Sequence, residues 1–372
     1  RSSAASDVYK RQSQYTDQMV AANSVIVVCG DKSKVVSNSD MWETSTNYQT
    51  YQTQTTGFDG EGQITSAITY VTSENNPKVY WVTGHGEASE SDLSTNFSDA
   101  INKNNVGISD LALMTDDIPE DAEELVIMSP TTDFSEDEAN KVITYLENGG
   151  KLLMFTSYTG TDMPNLDSIL ENYGVKRSSG IVVETDSQHY YPQMPYYLLP
   201  NIQSDDITTE VKSNYILMPV AQAIQKLDSY RDTITIKSLL TTTEDAYIEN
   251  DPENSTWSKS ADSETGAFDL GVSITETVDD KETQIIYFSS ASMLSSQIDQ
   301  AISGANSKLA ATALTSMCDV EQTVVIPSKS TSYTNLVFTQ GAVNTWSIIT
   351  IAGIPLVLVV IGVMIWMKRR KQ

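Results

Sequence analysis

Cysteine, histidine and positive charge are all scarce in this chain. Its 372 residues hold two cysteines, Cys29 and Cys318, and two histidines, His85 and His189. Two thiols cannot build a disulfide framework or a four-ligand zinc site, and neither histidine lies in a ligand-spaced cluster, so no metal or cofactor is expected. Lys and Arg number 23 against 49 Asp and Glu, a formal net charge of −26. A surface that acidic repels a phosphate backbone, which argues against a nucleic-acid partner. A phosphate-cradling sequence of the Walker type is also missing, so the chain is not itself an ATPase. Apolar residues at 40% with only 19% charged nevertheless describe a chain that folds, and the length accommodates two or three domains.

Long apolar runs are equally rare, with one exception at the C-terminus. From Trp346 to Met367 the sequence WSIITIAGIPLVLVVIGVMIWM carries no charge. As a helix it spans about 33 Å, enough to cross a bilayer core. Trp346 and Trp366 stand at its ends as interfacial anchors, and Pro355 inside it is tolerable in a membrane helix. Lys368, Arg369, Arg370 and Lys371 follow at once, so the positive-inside rule places residues 368–372 in the cytoplasm and the acidic bulk outside. The expected location is a cell membrane crossed once at the C-terminus. At the other end, residues 1–12 (RSSAASDVYKRQ) lack the apolar run of a signal peptide and read as a non-native leader. An extracytoplasmic domain needs export, so a preceding membrane helix is expected upstream.

Between these ends the periodicity is mostly that of an α/β protein. Ser24 to Cys29 reads as a buried strand, Gln49 to Thr56 as a loop, and Ile64, Ala67, Ile68 and Val71 as one face of a helix stopped at Asn75-Asn76-Pro77. Residues 13–76 thus resemble part of a small α/β domain. Strands are then expected at Val79 to Val82, Ile108 to Leu113, Leu125 to Met128, Leu152 to Phe155 and Ile181 to Val183. Helical faces lie between them: Leu93, Phe97, Ala100 and Ile101; Ala139, Val142, Ile143 and Leu146; Leu166, Ile169, Leu170 and Tyr173. Ser135 and Glu138 form a capping box at the start of the second, and Gly149-Gly150 closes it. Alternation of this kind predicts a parallel sheet covered on both faces. Beyond it, His189 to Tyr197 reads as an aromatic loop and Glu244 to Glu264 as an exposed acidic one. Strands are expected at Tyr215 to Met218, Thr233 to Leu240, Phe268 to Thr275 and Gln284 to Phe288, with a helix carrying Leu309 to Met317.

A series of short motifs runs along the chain: Phe58-Asp59-Gly60-Glu61 with Thr65 to Ile68, the strand Val79 to Val82 running into Thr83-Gly84-His85-Gly86-Glu87, and Asp117-Ile118-Pro119 before Leu125 to Pro130. Tyr145 to Lys151, Ser289 to Leu294 before Gly304-Ala305-Asn306, Ile326 to Lys329, and Pro355 into Lys368-Arg369-Arg370 complete it. In this order the motifs resemble those of the gliding-motility-type auxiliary subunits of ABC transport systems. The resemblance implies a non-enzymatic, membrane-anchored extracytoplasmic protein that works with a separate permease and a separate ATPase. It also implies a glutamine-amidotransferase-like, flavodoxin-like domain over residues 77–345, preceded by a partial thioredoxin-like region at 13–76.

In an open parallel sheet, ligands bind beyond the carboxyl ends of the strands. Here those ends carry His85 and Glu87, Ser129 to Thr132, and Thr156-Ser157. His85, Glu87, Ser129, Thr131 and Ser157 therefore line either a ligand or partner crevice, or a set of tight turns in which Gly84 and Gly86 supply conformational freedom and Glu87 favours a helix start. A hydrolase would need a nucleophile on a sharp turn beside a histidine base, and Ser157 lacks the flanking glycines of such an elbow. Cys29 and Cys318 read as inert buried thiols. Three functions compete: a transporter auxiliary subunit, a membrane-anchored hydrolase, and a glycan-binding module using the rings of Tyr190 to Tyr197.

Overall fold

The computed structural model describes residues 14–16, 20–47, 52–73, 76–253, 256–318, 326, 329–330 and 338–370. The leader, Gln49 to Tyr51 of the expected loop, Asn75 at the expected helix stop, Asn254-Ser255 of the acidic stretch, Pro327-Ser328 of the Ile326 to Lys329 motif, and Lys371 lie outside the described residues.

Two small sheets precede the central one. β1 (Val25–Cys29) and β2 (Lys32–Val36) form an antiparallel hairpin, β3 (Trp42–Asn47) pairs with β4 (Gln52–Phe58), and α1 (Gly60–Thr72) packs on the hairpin. Two expectations are corrected here. The Gln/Thr run becomes a strand from Gln52 onward, because threonine suits a pleated backbone once a partner strand is available. Ser24 to Cys29 contains a strand that is not buried: Val28 is 43% exposed and Cys29 is exposed, since a two-stranded hairpin has only one face to cover.

The central sheet begins with β5 (Lys78–Val82), α2 (Thr95–Lys103), β6 (Gly107–Leu111), β7 (Glu124–Met128), α3 (Glu136–Glu147), β8 (Lys151–Phe155), α4 (Pro164–Asn172) and β9 (Val175–Val183). The chain continues through short strands β10 (Tyr190–Tyr191), β11 (Met194–Leu198), β12 (Asn201–Ile202) and β13 (Met218–Pro219), of which β10, β11 and β13 form a separate three-stranded sheet and β12 joins the central one. β14 (Gln222–Lys226), β15 (Ile234–Thr241), β16 (Tyr247–Glu249), β17 (Asp269–Val278) and β18 (Lys281–Phe288) follow. Then come α5 (Ser296–Ala301), α6 (Ala305–Met317), β19 (Lys329–Ser330) and α7 (Gln340–Arg370). The path through the eleven-stranded sheet runs β16-β9-β14-β17-β18-β8-β7-β5-β6, with β15 on β17 and β12 on β15.

Pairings from β6 to β18 are parallel, as expected, but the sheet continues beyond β18 as an antiparallel half. Within the parallel half β7 and β8 are buried on both faces while edge strand β6 is largely exposed, and alternate residues of β7, β8 and β18 divide between two cores. Leu125, Ile127, Leu152, Met154, Ile285 and Tyr287 face α3 and α4, packing with Val142, Leu146, Leu166 and Ile169. Val126, Met128, Leu153, Phe155, Ile286 and Phe288 face the opposite way, with Phe97 and Ile101 of α2 and Leu309, Ala313 and Leu314 of α6. Each of these large side chains contributes about 1.5–3 kcal/mol by leaving water. A charge at any of them would be stranded between layers.

Tertiary pairing revises the reading of the C-terminal half. The aromatic stretch is a hairpin, β10 with β11, and the acidic stretch contains β16, whose Tyr247 and Ile248 are buried against β9. Of Tyr215 to Met218, only Met218 enters a strand.

α7 is long and apolar enough to cross a membrane, and none of its apolar window is buried by the rest of the chain. It widens to a π-turn at Ile349–Gly353, where the Ile354 N–H reaches back to the Ile349 carbonyl. Pro355 follows immediately. A proline has no N–H to give and its ring crowds the carbonyl four residues back, so the ladder opens just before it.

Candidate functional site

β5 lies between two parallel neighbours, β6 on one side and β7 on the other. At the end of β5 the chain turns sharply, and Gly84 (φ +124°) and Gly86 (φ +76°) make the turn. Gly86 leaves no room for a side chain, since a Cβ there would collide with the Thr131 Oγ1. The turn folds across the end of β7. The His85 carbonyl accepts from the amides of Thr131 (2.9 Å) and Thr132 (3.0 Å) and from both their hydroxyls, and the Ala88 amide donates to the Met128 carbonyl. The Trp81 indole locks the far side by donating to the Ala88 carbonyl at 2.9 Å.

The His85 side chain points inward and is 5% exposed. Its Nδ1 lies 3.2 Å from Glu87 Oε1 and its Nε2 3.3 Å from Glu138 Oε2, while the ring packs on Phe134 with centroids 4.3 Å apart. Both ring nitrogens can donate only in the imidazolium form, in which the pair of carboxylates is bridged by one cation. Glu87 also receives the His85 amide at 2.7 Å. Glu138 is the capping-box residue of α3: it accepts from the Ser135 amide at 2.9 Å and hydroxyl at 2.7 Å. Burial would raise the Glu138 carboxyl, but the Ser135 donors and His85 outweigh it and hold it below the usual range. Glu138 Oε1 is buried with no partner.

Ser129 and Ser157 come together at the ends of β7 and β8, the Ser129 hydroxyl donating to Ser157 Oγ at 2.8 Å. Ser129 has a left-handed backbone (φ +54°), which no feature of the sequence foretold. Thr131 is turned toward the His85 carbonyl. Thr156 shares a 2.7 Å hydrogen bond with the Tyr287 hydroxyl, whose burial pushes its pKa up to about 12, so the phenol is neutral. The rim thus holds hydroxyls and a bridged histidine. With its nitrogens on Glu87 and Glu138, His85 faces neither serine as a base.

Two further clusters escaped the sequence reading. Asp299, wholly buried, accepts from Ser94 Oγ (2.7 Å), Asn96 Nδ2 (2.8 Å), and the Ser307 amide (2.9 Å) and hydroxyl (2.7 Å), joining the starts of α2 and α6. Glu124, also buried, accepts from the Cys318 thiol at 3.2 Å; burial drives its carboxyl well above the usual range and the thiol upward too. Cys318 is therefore a neutral buried thiol, as the apolar helix face implied, whereas exposed Cys29 is not the buried thiol expected. Among the described residues no group of three or more His, Cys, Asp or Glu side chains is placed to hold a metal ion. His189 Nδ1 donates to the Leu199 carbonyl (3.2 Å), and the rings of Tyr191 and Tyr197 pack on the core while Tyr196 lies against Trp257 at 4.4 Å.

No curated protein matches the sequence. Among solved structures, the mmIFT52 N-terminal domain is similar over 64% of this chain and 96% of its own, at 15% identity and a TM-score of 0.47. A ThuA-like protein from Parabacteroides merdae ATCC 43184 is similar over 72% of this chain and 99% of its own, at 13% identity and a TM-score of 0.37. The exo-β-1,4-mannosidase Op5Man5 from Opitutaceae bacterium strain TAV5 is similar over 68% and 37%, at 11% identity and a TM-score of 0.33. Scores this low carry no functional argument. The sequence itself places the chain in a family: residues 76–316, more than half its length, match ABC_transp_aux, described as an ABC-type uncharacterized transport system, and the chain belongs to that family.

Proposed function

We propose that this protein is a non-enzymatic, membrane-anchored auxiliary subunit of an ABC-type transport system. On this reading residues 77–345 form a flavodoxin-like, amidotransferase-like ectodomain, 346–367 the membrane span and 368–372 a cytoplasmic basic tail. The ectodomain binds or couples to a separate permease and ATPase, and α7 meets the permease within the bilayer. The observation that carries the reading is the state of His85 in a chain of this family: both nitrogens sit on buried carboxylates, so Ser129 and Ser157 have no imidazole base beside them. The Glu87–His85–Glu138 bridge then serves to lock the turn after β5. Ser129, Thr131 and Ser157 form the half-open rim that a partner loop would meet.

Crosslinking in native membranes followed by purification through this chain tests the proposal. A permease or an ATPase subunit is expected in the crosslinked complex. Complexes that contain neither would overturn it.

A hydrolase on the same scaffold is the second reading, favoured by one observation, the left-handed backbone of Ser129 at a strand end. Loss of the cellular phenotype in either Ser129→Ala or Ser157→Ala, with folding intact, supports it. Full function in both rejects it.

A further inference from the structure

The start of α7 is fastened to the β10–β11 hairpin. Thr339 caps the helix, its hydroxyl accepting from the Ala342 amide at 3.1 Å while donating to Gln188 Oε1 at 3.1 Å. The Gly341 amide donates to the Ser187 carbonyl at 2.7 Å, and the Gln193 amide, at the hairpin tip, donates to Gln340 Oε1 at 2.9 Å. Gly341 is buried in this contact: a Cβ there would collide with the Gln188 side-chain amide. Gln193 has φ +67° after Pro192, the geometry of a tight two-residue turn, and Tyr191 and Tyr197 tie the hairpin to the core. The hairpin is thus a rigid bracket between the sheet and the anchor helix.

The bracket is free of charge in a chain of net charge −26. Between Asp186 and Asp205 there is no Asp, Glu, Lys or Arg, and none between Lys329 and Lys368. These two uncharged segments are the ones that meet. Gln340 lies six residues before Trp346, about 9 Å along the helix axis, so the hairpin tip stands within two turns of the interfacial tryptophan. Met194 (37% exposed), Phe338 (49%) and Val343 (38%) present apolar surface around it. Carboxylates so close to anionic headgroups would be repelled, and aromatic and thioether groups beside an amide-rich turn are what the interfacial layer accepts.

We infer that the Tyr191–Met194 tip, with Phe338 and Val343, seats in the headgroup layer of the bilayer, fixing the ectodomain's orientation on the membrane. The inference rests on α7 spanning the bilayer, as proposed above. It is continuous with that span, since the bracket holds the tip to the helix just above Trp346.

Depth-dependent fluorescence quenching on the full chain in nanodiscs of phosphatidylcholine and phosphatidylglycerol tests it. Exposed Cys29 is first replaced by serine, and an environment-sensitive dye is placed at Met194→Cys, at Asp228→Cys beyond the opposite end of β9 from the hairpin, or at Val359→Cys within α7. The label at 194 is expected to shift to the blue and to be quenched by headgroup nitroxides roughly twofold more than the label at 228. Quenching at 359 by mid-chain nitroxides reports the span itself. A label at 194 that behaves like that at 228, while 359 is quenched, overturns the inference and leaves the span standing. Absence of quenching at 359 overturns the span instead. Gly341→Val, which forces the bracket apart, is expected to abolish the excess quenching at 194 without changing 359; unchanged quenching at 194 in that variant refutes the bracket's role.

Discussion

His85 bridges Glu87 and Glu138 where no sequence spacing joins the last two, 53 residues separating His85 from Glu138. Removing the ring takes the shared hydrogen-bond partner from two buried carboxylates at once. His85→Ala is expected to cost about 2–4 kcal/mol, read as a lower denaturation midpoint of the solubilised chain. Glu124 poses the opposite problem, a carboxyl kept protonated by burial. In the unfolded chain it ionises near its ordinary value of 4.5, and in the folded chain only well above that. Raising the pH through this interval therefore favours unfolding, and the penalty is absent below the unfolded value. Glu124→Gln keeps an acceptor for the Cys318 thiol and cannot ionise. It is expected to raise the melting temperature at pH 7 to 8 and to match the parent at pH 4; a gain independent of pH would contradict the assignment. Glu138 and Glu276 pull the other way. The Arg231 hydrogen bond holds the Glu276 carboxyl below its ordinary value, so their stabilisation is complete above about pH 4.5 and is lost as pH falls through their lowered folded values.

At the scale of elements, local rules succeed where the partners are close in sequence. The Ser135 to Glu138 capping box was legible because both residues sit within one turn, and the structure forms it with donors at 2.9 and 3.3 Å. Ser135→Ala is expected to cost about 1 kcal/mol for the cap alone, and somewhat more because Glu138 loses a donor beside His85. The start of α6 shows the contrary case. Its N-cap, Gly304, has no side chain, and the Ser307 amide is taken instead by Asp299, which also accepts from Ser94 and Asn96 some two hundred residues earlier. Asp299→Ala leaves the Ser94 hydroxyl and the Ser307 amide and hydroxyl buried without an acceptor, and a loss of about 3 kcal/mol is expected in chemical denaturation. The strands that the sequence reading took for loops, β4, β10, β11 and β16, have the same cause. They are short, polar or interrupted by proline, and become strands because a neighbour offers a ladder.

For the whole molecule, charge and hydropathy speak together. The acidic excess precedes the apolar stretch of α7 and the basic tail follows it. If that tail sets the topology, replacing Lys368, Arg369 and Arg370 by glutamate should let the C-terminus cross, which a reporter fused there would register as a loss of cytoplasmic signal. The long apolar helix, the α/β alternation from residue 77 and the polar rim at the strand ends could all be read from the sequence, because each depends on neighbours a few residues apart or on composition alone. Tertiary structure alone decided that the sheet turns antiparallel beyond β18, that His85 is bridged rather than presented to solvent, and that the aromatic hairpin brackets the start of α7. Those features are made by residues tens to hundreds of positions apart, and their energies come from burial and from hydrogen bonds that exist only after the layers have closed.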